Sequence, residues 1–492
     1  MDRQIRRLAG VFLVLFVLLF AQINYIQVFA AHDLANNPAN QRLLLQEYDV
    51  ERGKILASDN QTVLARSKPT KGLLKYLRVY PARSLYGQIT GYYSLVYGRS
   101  ALESKYNDFL SGRAAELLPQ NLVDEFLGRP KRGASVVTTI DAQLQQVAKQ
   151  ALGSLPGGVV AMDPRTGEVL AMYANPSFDP SPLASHDGDK VRAAWRRLTD
   201  DPAKPLLSRA SQELFPPGST FKLVTAAAAL ENGMTPNTKF DNPPVLDLPQ
   251  TTNTLQNFGG EHCLGGAAQL TLAQALEVSC NVVFGEVGLR LGAEKLVTQA
   301  QRFGFDQQID FDVPFAEGSI PPVSDFANDL PGVAYSAIGQ QSVSANPLSM
   351  ALVASAIANG GVEMQPRLVK EIRDPSGRVV KTYEPREFGR VISSRTASEL
   401  TQMMVAVVQS GTGTVAQIPG VEVAGKTGTA QHPGGNPHAW FVCFAPAPNP
   451  VIAVAVVVLD GGSLGSEATG GHVAAPVAKA VVEAALRRGS GG

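Results

Sequence analysis

Cysteine is scarce in this chain. Cys263, Cys280 and Cys443 are the three in 492 residues, too few for a disulfide scaffold and without the paired spacing of a zinc site. At most one bridge can form. Net charge is also lacking, since 43 Lys plus Arg offset 43 Asp plus Glu, so no overall field draws the chain to nucleic acid, and no nucleic-acid partner is expected. Histidines are few and scattered; His432 and His438 flank a Gly-Pro loop and read as solvent-facing side chains, so no metal site is expected. With 45% hydrophobic and 17% charged positions the chain is neither disordered nor fibrous, and it is long enough for two or three domains with cores.

Long apolar runs are equally rare, which gives weight to the one present. Arg3, Arg6 and Arg7 precede a predominantly apolar stretch from Leu8 to Ala30, a membrane-spanning length. Val28-Phe29-Ala30 could be a cleavage site, but the stretch exceeds the apolar core of a secretory signal, and an uncleaved anchor is the preferred reading. Arginines before the span put everything after it outside. The expected location is the cytoplasmic membrane, single-pass, with a catalytic part that works without ATP.

Beyond the anchor, Arg52 to Asn60 followed by Thr62 to Ala65 reads as strand, turn, strand. Asp141 to Leu152 sets Leu144, Val147, Ala148, Ala151 and Leu152 on one helical face, with Thr139 or Asp141 as N-cap. Gly158–Pro164 and Glu168–Tyr173, joined by Arg165-Thr166-Gly167, form a hairpin signal. Residues 206–359 are rich in helical periodicity, Val451–Leu459 suits a central buried strand, and Ala474–Arg487 closes as a helix. This order predicts an α+β fold with helices packed on an antiparallel sheet.

The chemistry gathers in three places. Pro216-Pro217-Gly218-Ser219 leads into a helix running to Glu231, with Asn232-Gly233 as a stop. Lys222 stands three residues on, so its amine can reach the Ser219 hydroxyl. Serine is a poor nucleophile until a neighbour takes its proton, and lysine can do so only where burial or a second cation lowers its pKa. A Ser-x-x-Lys spacing alone is weak, and its company is what counts. Ser279-Cys280-Asn281 follows an amphipathic segment, and Lys426-Thr427-Gly428-Thr429 comes between strand-like runs. Two other Ser-x-Asn triplets compete. Ser58-Asp59-Asn60 precedes the nucleophile, and Ser344-Ala345-Asn346 belongs to a segment leading into a helix, so order and spacing choose Ser279 and Asn281. Gly420 to Thr427 also spells G-x-x-x-x-G-K-T, but a phosphate loop needs a strand before and a helix after, and Gln431-His432-Pro433-Gly434-Gly435 cannot start a helix.

These three elements in this order resemble the penicillin-binding proteins and their β-lactamase relatives. Arg52-Gly53-Lys54-Ile55 and Gly98-Arg99-Ser100-Ala101-Leu102-Glu103 are similar to marks of the monofunctional class B enzymes, within them the actinobacterial penicillin-binding protein A branch. Ser208 and Cys443 depart from the usual residues beside Arg209-Ala210 and Trp440-Phe441. The resemblance implies a cytoplasmic tail and anchor over 1–30, an elongated mixed dimerisation or pedestal domain over 31–140, and a transpeptidase domain over 141–492. That last domain would hold a five-stranded antiparallel sheet with helices on both sides plus an all-helical subdomain. It implies a D,D-transpeptidase that cross-links peptidoglycan stem peptides through a Ser219 acyl-enzyme, is acylated by β-lactams and needs no cofactor. Lys222, Ser279, Asn281 and Lys426 are its implied proton carriers and positioning groups. Thr427, Gly428 and Thr429 are its implied substrate strand, with the Thr429 and Ser219 N–H groups as oxyanion donors. The implied partners are the cytoplasmic membrane and a membrane glycan polymerase of the shape, elongation and division family. A hydrolytic D,D-carboxypeptidase or β-lactamase, and a non-catalytic drug sensor or division scaffold, are the alternatives. Cys263 and Cys280 could be bridged, or Cys280 could be a buried free thiol.

Overall fold

The computed structural model describes residues 2–31, 34, 47–257, 259–462 and 464–489. Arg3 to Phe29 is one apolar helix with none of its surface buried by the rest of the chain, long enough to cross a bilayer.

The catalytic half is built on five antiparallel strands in the order Ala424–Ala430, His438–Ala445, Ile452–Val458, Gly157–Met162, Val169–Asn175. Ile452–Val458 takes the central place and is buried throughout, which is why its β-branched run does not alternate. One face, with Val159, Ala161, Phe441, Val454 and Val456, packs on the helices Ala142–Leu152 and Gly470–Gly489. The other face, with Val160, Met162, Trp440, Val442 and Val457, packs on Lys222–Glu231 and Pro347–Ala358. Asp141, not Thr139, caps its helix: Asp141 Oδ1 accepts from Leu144 N at 2.7 Å, and the Thr139 hydroxyl donates to Val169 O. Residues 222–358 are mainly helical, with two small ladders, Val245–Asp247 on Thr254–Gln256 and Lys239–Asp241 on Gln269–Thr271.

The N-terminal sheet has six strands in the order Val379–Thr382, Val369–Arg373, Ser135–Thr138, Ile55–Leu56, Val63–Pro69, Tyr76–Val79. Its first two come from far downstream, so the sheet ties the two halves of the chain together. At its base Glu103 is buried between two guanidiniums. Arg52 Nε and Arg78 Nε each donate at 2.6 Å, and Tyr80 OH adds a bond of 3.2 Å. Burial alone would raise the Glu103 pKa, yet Arg78 and Arg52 hold it below the usual carboxylate range. Arg52 and Glu103, singled out in separate sequence segments, therefore meet. Removing one member of a buried ion network leaves the others uncompensated. Glu103→Ala should destabilise the N-terminal half by about 3–5 kcal/mol, visible as an early denaturant transition.

Glu363, on the short strand Val362–Met364, is buried with neither carboxylate oxygen bonded. Burial pushes its pKa up to about 8. The folded chain keeps the proton that the unfolded chain releases near the ordinary glutamate value, so stability is full below that value. It is lost as pH rises towards about 8. Glu363→Gln removes the penalty: its melting temperature should match the parent's near pH 4.5 and exceed it increasingly up to pH 8.

Candidate active site

Pro217 ends an irregular stretch, and Gly218–Phe221 forms a tight 3₁₀ turn that runs into the helix Lys222–Glu231. Ser219 thus lies on that turn and not on the α-helix itself. In a 3₁₀ turn side chains three apart eclipse, so the turn sets Ser219 and Lys222 on one side of the chain. Gly218 has φ of 52°, and a Cβ there would come within 2.8 Å of Thr429 O. A Cβ at Gly339 would strike Gly218 O at 2.2 Å. Trp440 Nε1 donates to Pro216 O at 2.9 Å. The turn is therefore wedged between the Lys426 strand and residues 339–341.

Gly428 serves this wedge. A Cβ on it would meet Thr220 Cγ2 and Trp440 Cβ at 2.9 Å and Pro217 O at 3.0 Å, so the backbone that approaches it closely is that of the serine turn.

Both lysines are fully buried. Lys222 Nζ donates to Ser279 O at 2.7 Å and to Asn281 Oδ1 at 2.8 Å, with Ser279 Oγ at 3.4 Å. Lys426 Nζ donates to Ser279 Oγ at 2.8 Å and to Thr427 O at 3.0 Å. Among the described residues neither has a carboxylate partner. Burial, reinforced by the charge of Lys426, drives the Lys222 pKa well below its ordinary value. Burial brings Lys426 down to about 7. A neutral amine has two N–H bonds and one lone pair. The two short acceptors take both N–H bonds of Lys222, which leaves the lone pair for the proton of a neighbouring hydroxyl.

Ser279 reaches both lysines because its backbone is left-handed, φ 60°. Cys280 is bonded to Cys263, which answers the question the sequence left open, and Asn281 starts the helix Asn281–Leu291. The N–H groups of Asn281 and Val282 donate to Asn257 Oδ1 at 2.9 and 3.1 Å, so the helix start is capped by a residue 24 positions upstream. Asn257 was missed in the sequence because its cap is not local. Thr412, whose hydroxyl lies 2.6 Å from that of Thr427, and Gln340 and Gln341, which line the cleft, carried no signal either.

Ser219, Ser279, Asn281, Thr427 and Thr429 share one cleft of about 1030 Å³. The competing triplets lie elsewhere. Asn346 caps the helix Pro347–Ala358 and holds Ser211 O and Ala316 O, while Ser58 to Asn60 makes a turn of the N-terminal sheet. The G-x-x-x-x-G-K-T run passes into a strand followed by a second strand, with no helix to cradle a phosphate.

His432 and His438 do not face solvent as expected. His438 is buried, their rings stack at 4.1 Å, and His432 Nε2 meets Asp460 Oδ1 at 2.7 Å. The loop 432–437 folds back over the sheet, with Gly435 against the His432 ring. His438 Nδ1 accepts from Asp460 N at 3.1 Å, which puts that ring's proton on Nε2 and leaves it no lone pair for a cation. Cys443, a departure from the family pattern, is a free thiol buried in the sheet core, pushed up to about 12 by burial.

Comparison with known proteins agrees with this geometry. Residues 157–483 match the penicillin binding protein transpeptidase domain, and residues 52–136 match the penicillin binding protein A dimerisation domain. The chain is 44% identical to peptidoglycan D,D-transpeptidase PbpA of Mycolicibacterium smegmatis, with all of both chains covered. It is 41% identical to PbpA of Mycobacterium tuberculosis, with 99% of each covered. The crystal structure of M. tuberculosis penicillin-binding protein A as a penicillin G acyl-enzyme superposes with a TM-score of 0.84 at 40% identity, covering 89% of this chain and all of that one. The chain belongs to the class B penicillin-binding transpeptidases.

Proposed function

We propose the following course for the reaction of this peptidoglycan D,D-transpeptidase, carried by one observation: a fully buried lysine of lowered pKa three residues after the serine of a 3₁₀ turn. The donor is a stem peptide ending in D-Ala-D-Ala. It lies along Lys426–Thr429 as an added strand, its terminal carboxylate held by the Thr427 and Thr429 hydroxyls. The Lys222 lone pair takes the Ser219 proton as Oγ attacks the penultimate carbonyl, and the N–H groups of Ser219 and Thr429 hold the oxyanion. The C–N bond then breaks, and Ser279, bonded to Lys426 and near Lys222, relays a proton to the departing D-Ala nitrogen. The acyl-enzyme passes to the amine of a neighbouring stem peptide. That amine gives up a proton by the same relay, and Ser219 regains its own. The broken peptide bond supplies the energy of the new one. A β-lactam follows the first half and stops at the ester.

Asn281 fixes Lys222 and offers its amide edge to the substrate backbone. Lys426, near half-protonated at neutral pH, regains full charge when the substrate carboxylate arrives beside it. The N-terminal helix anchors the chain, and Arg3, Arg6 and Arg7 keep its start cytoplasmic and the cleft outside. That location suits the membrane glycan polymerase which the family resemblance implies as partner. Transfer to an amine, not to water, separates this enzyme from a carboxypeptidase, and product analysis with and without a stem-peptide amine reads it directly.

Ser219→Ala should abolish labelling by fluorescent penicillin, with the adduct in the parent mapping to the peptide carrying Ser219. Lys222→Arg keeps a cation but no available lone pair at any working pH, so its acylation rate should fall by about 10²–10⁴. Folding should persist, as read by circular dichroism. Because burial and the charge of Lys426 lower the Lys222 pKa, the parent's penicillin acylation rate should reach its plateau at a pH below the ordinary lysine value. A lysine titrating at its ordinary value would make it climb about tenfold per unit.

A further inference from the structure

The N-terminal half carries a helix that is amphipathic the wrong way round for water. Leu118–Phe126 turns Leu117, just before it, and the carboxylate of Asp124 toward the protein, where Asp124 Oδ1 lies 3.6 Å from Arg129 Nη1. Gln120 on the same face accepts from Arg378 Nη2 at 2.6 Å. Leu118, Leu122 and Phe126, four apart and so on one stripe, face out together with Val123 and Leu127; Phe126 is 90% exposed and Leu122 66%. A surface helix ordinarily buries its apolar stripe. A second element repeats the pattern: at the tip between the strands Val63–Pro69 and Tyr76–Val79, Leu73 is 99% exposed between Lys71 and Lys75.

Both elements sit where the chain arrives from the N-terminal span. Arg113 Nη2 pairs with Glu47 Oε1 at 2.8 Å, and Gly133 N donates to Glu51 O at 2.9 Å, so the excursion holding the helix leaves from and returns to residues 47–51. The hairpin tip is tied to the same segment, Tyr76 N donating to Tyr48 O at 3.2 Å and Lys75 Nζ lying 3.5 Å from Asp49 Oδ1. Glu47 lies 18 positions after Phe29 in the sequence, a reach of at most about 60 Å.

We propose that the helix Leu118–Phe126 and the Leu73 tip dock on the boundary between headgroups and acyl chains of an anionic membrane, beside the N-terminal span. The proposal rests on reading that span as an anchor. Charge selects the occupant. Arg129, Lys131 and Arg132 follow the helix and Lys71 and Lys75 flank the tip, all exposed. Each apolar prong is thus bordered by cations, as in interfacial helices that sink leucine and phenylalanine while lysine and arginine reach the phosphates. A second copy of this chain, with no net charge, offers no matching sheet of negative charge. Docked at two points besides the span, the body would stand at a fixed height and tilt, which sets how far the cleft reaches above the bilayer.

The test uses the full chain reconstituted in vesicles of phosphatidylcholine with phosphatidylglycerol. Cys443 is buried and the other two cysteines are bonded, so Leu122→Cys, Leu73→Cys and a control, Arg395→Cys on an exposed helix position, can each take a fluorophore. Quenching by nitroxide-labelled lipid should be at least about threefold stronger at positions 122 and 73 than at 395. It should weaken without phosphatidylglycerol, and fall to the control level at 122 when Leu118→Asp and Phe126→Asp are added. Control-level quenching at both positions, in a chain that stays with the vesicles through an alkaline carbonate wash, would overturn the docking and leave the anchor standing. Shielding at 122 that appears only as the protein-to-lipid ratio rises would assign the face to a second copy and also overturn it. Loss of the chain in the wash would overturn the anchor reading, and the docking with it.

Discussion

The site depends on lowering the pKa of a lysine amine by burying it close to a serine hydroxyl. Two amines lie buried on the same Ser279 hydroxyl, and among the described residues neither pairs with a carboxylate. Burial lowers both pKa values, and at Lys222 the charge of Lys426 acts in the same direction. The chain meets the remaining hydrogen-bonding demand with neutral acceptors, Ser279 O and Asn281 Oδ1. A carboxylate in either place would restore the charge and end the base chemistry.

The rest of the transpeptidase half can be understood as the means of holding that pair. The five-stranded sheet is apolar on both faces, so helices clamp it from either side and bring the serine turn down onto the Lys426 strand. Close backbone contacts at Gly218, Gly339 and Gly428 leave no room for side chains, and the Trp440 indole ties the turn to the neighbouring strand. The Ser279 segment is held from another direction, by the Asn257 cap and the Cys263–Cys280 bridge. Three chain segments are thus fixed against each other by packing, a cap and a disulfide.

The N-terminal half follows another logic. There charges are buried as a neutralised network, Arg52 and Arg78 on Glu103, and the sheet recruits strands from residues 369–382. Burial of paired ions in one half and of amines with lowered pKa in the other answers different needs: the first fixes a scaffold, the second creates reactivity.

The sequence by itself determined what depends on local order. The N-terminal apolar helix, the Asp141-capped helix, the central strand Ile452–Val458 and the three spaced motifs all rest on periodicity, composition or short spacing, and these survive folding because each is built from neighbours in the chain. Order and spacing also sufficed to reject Ser344-Ala345-Asn346 and the phosphate-loop look-alike. Only the tertiary structure decided the pairing of Cys263 with Cys280, the cap supplied by Asn257, the strands at 369–382, the role of Gly428 and the inward turn of His438. Each of these joins residues brought together by packing, and no periodicity records which distant partner a side chain will meet.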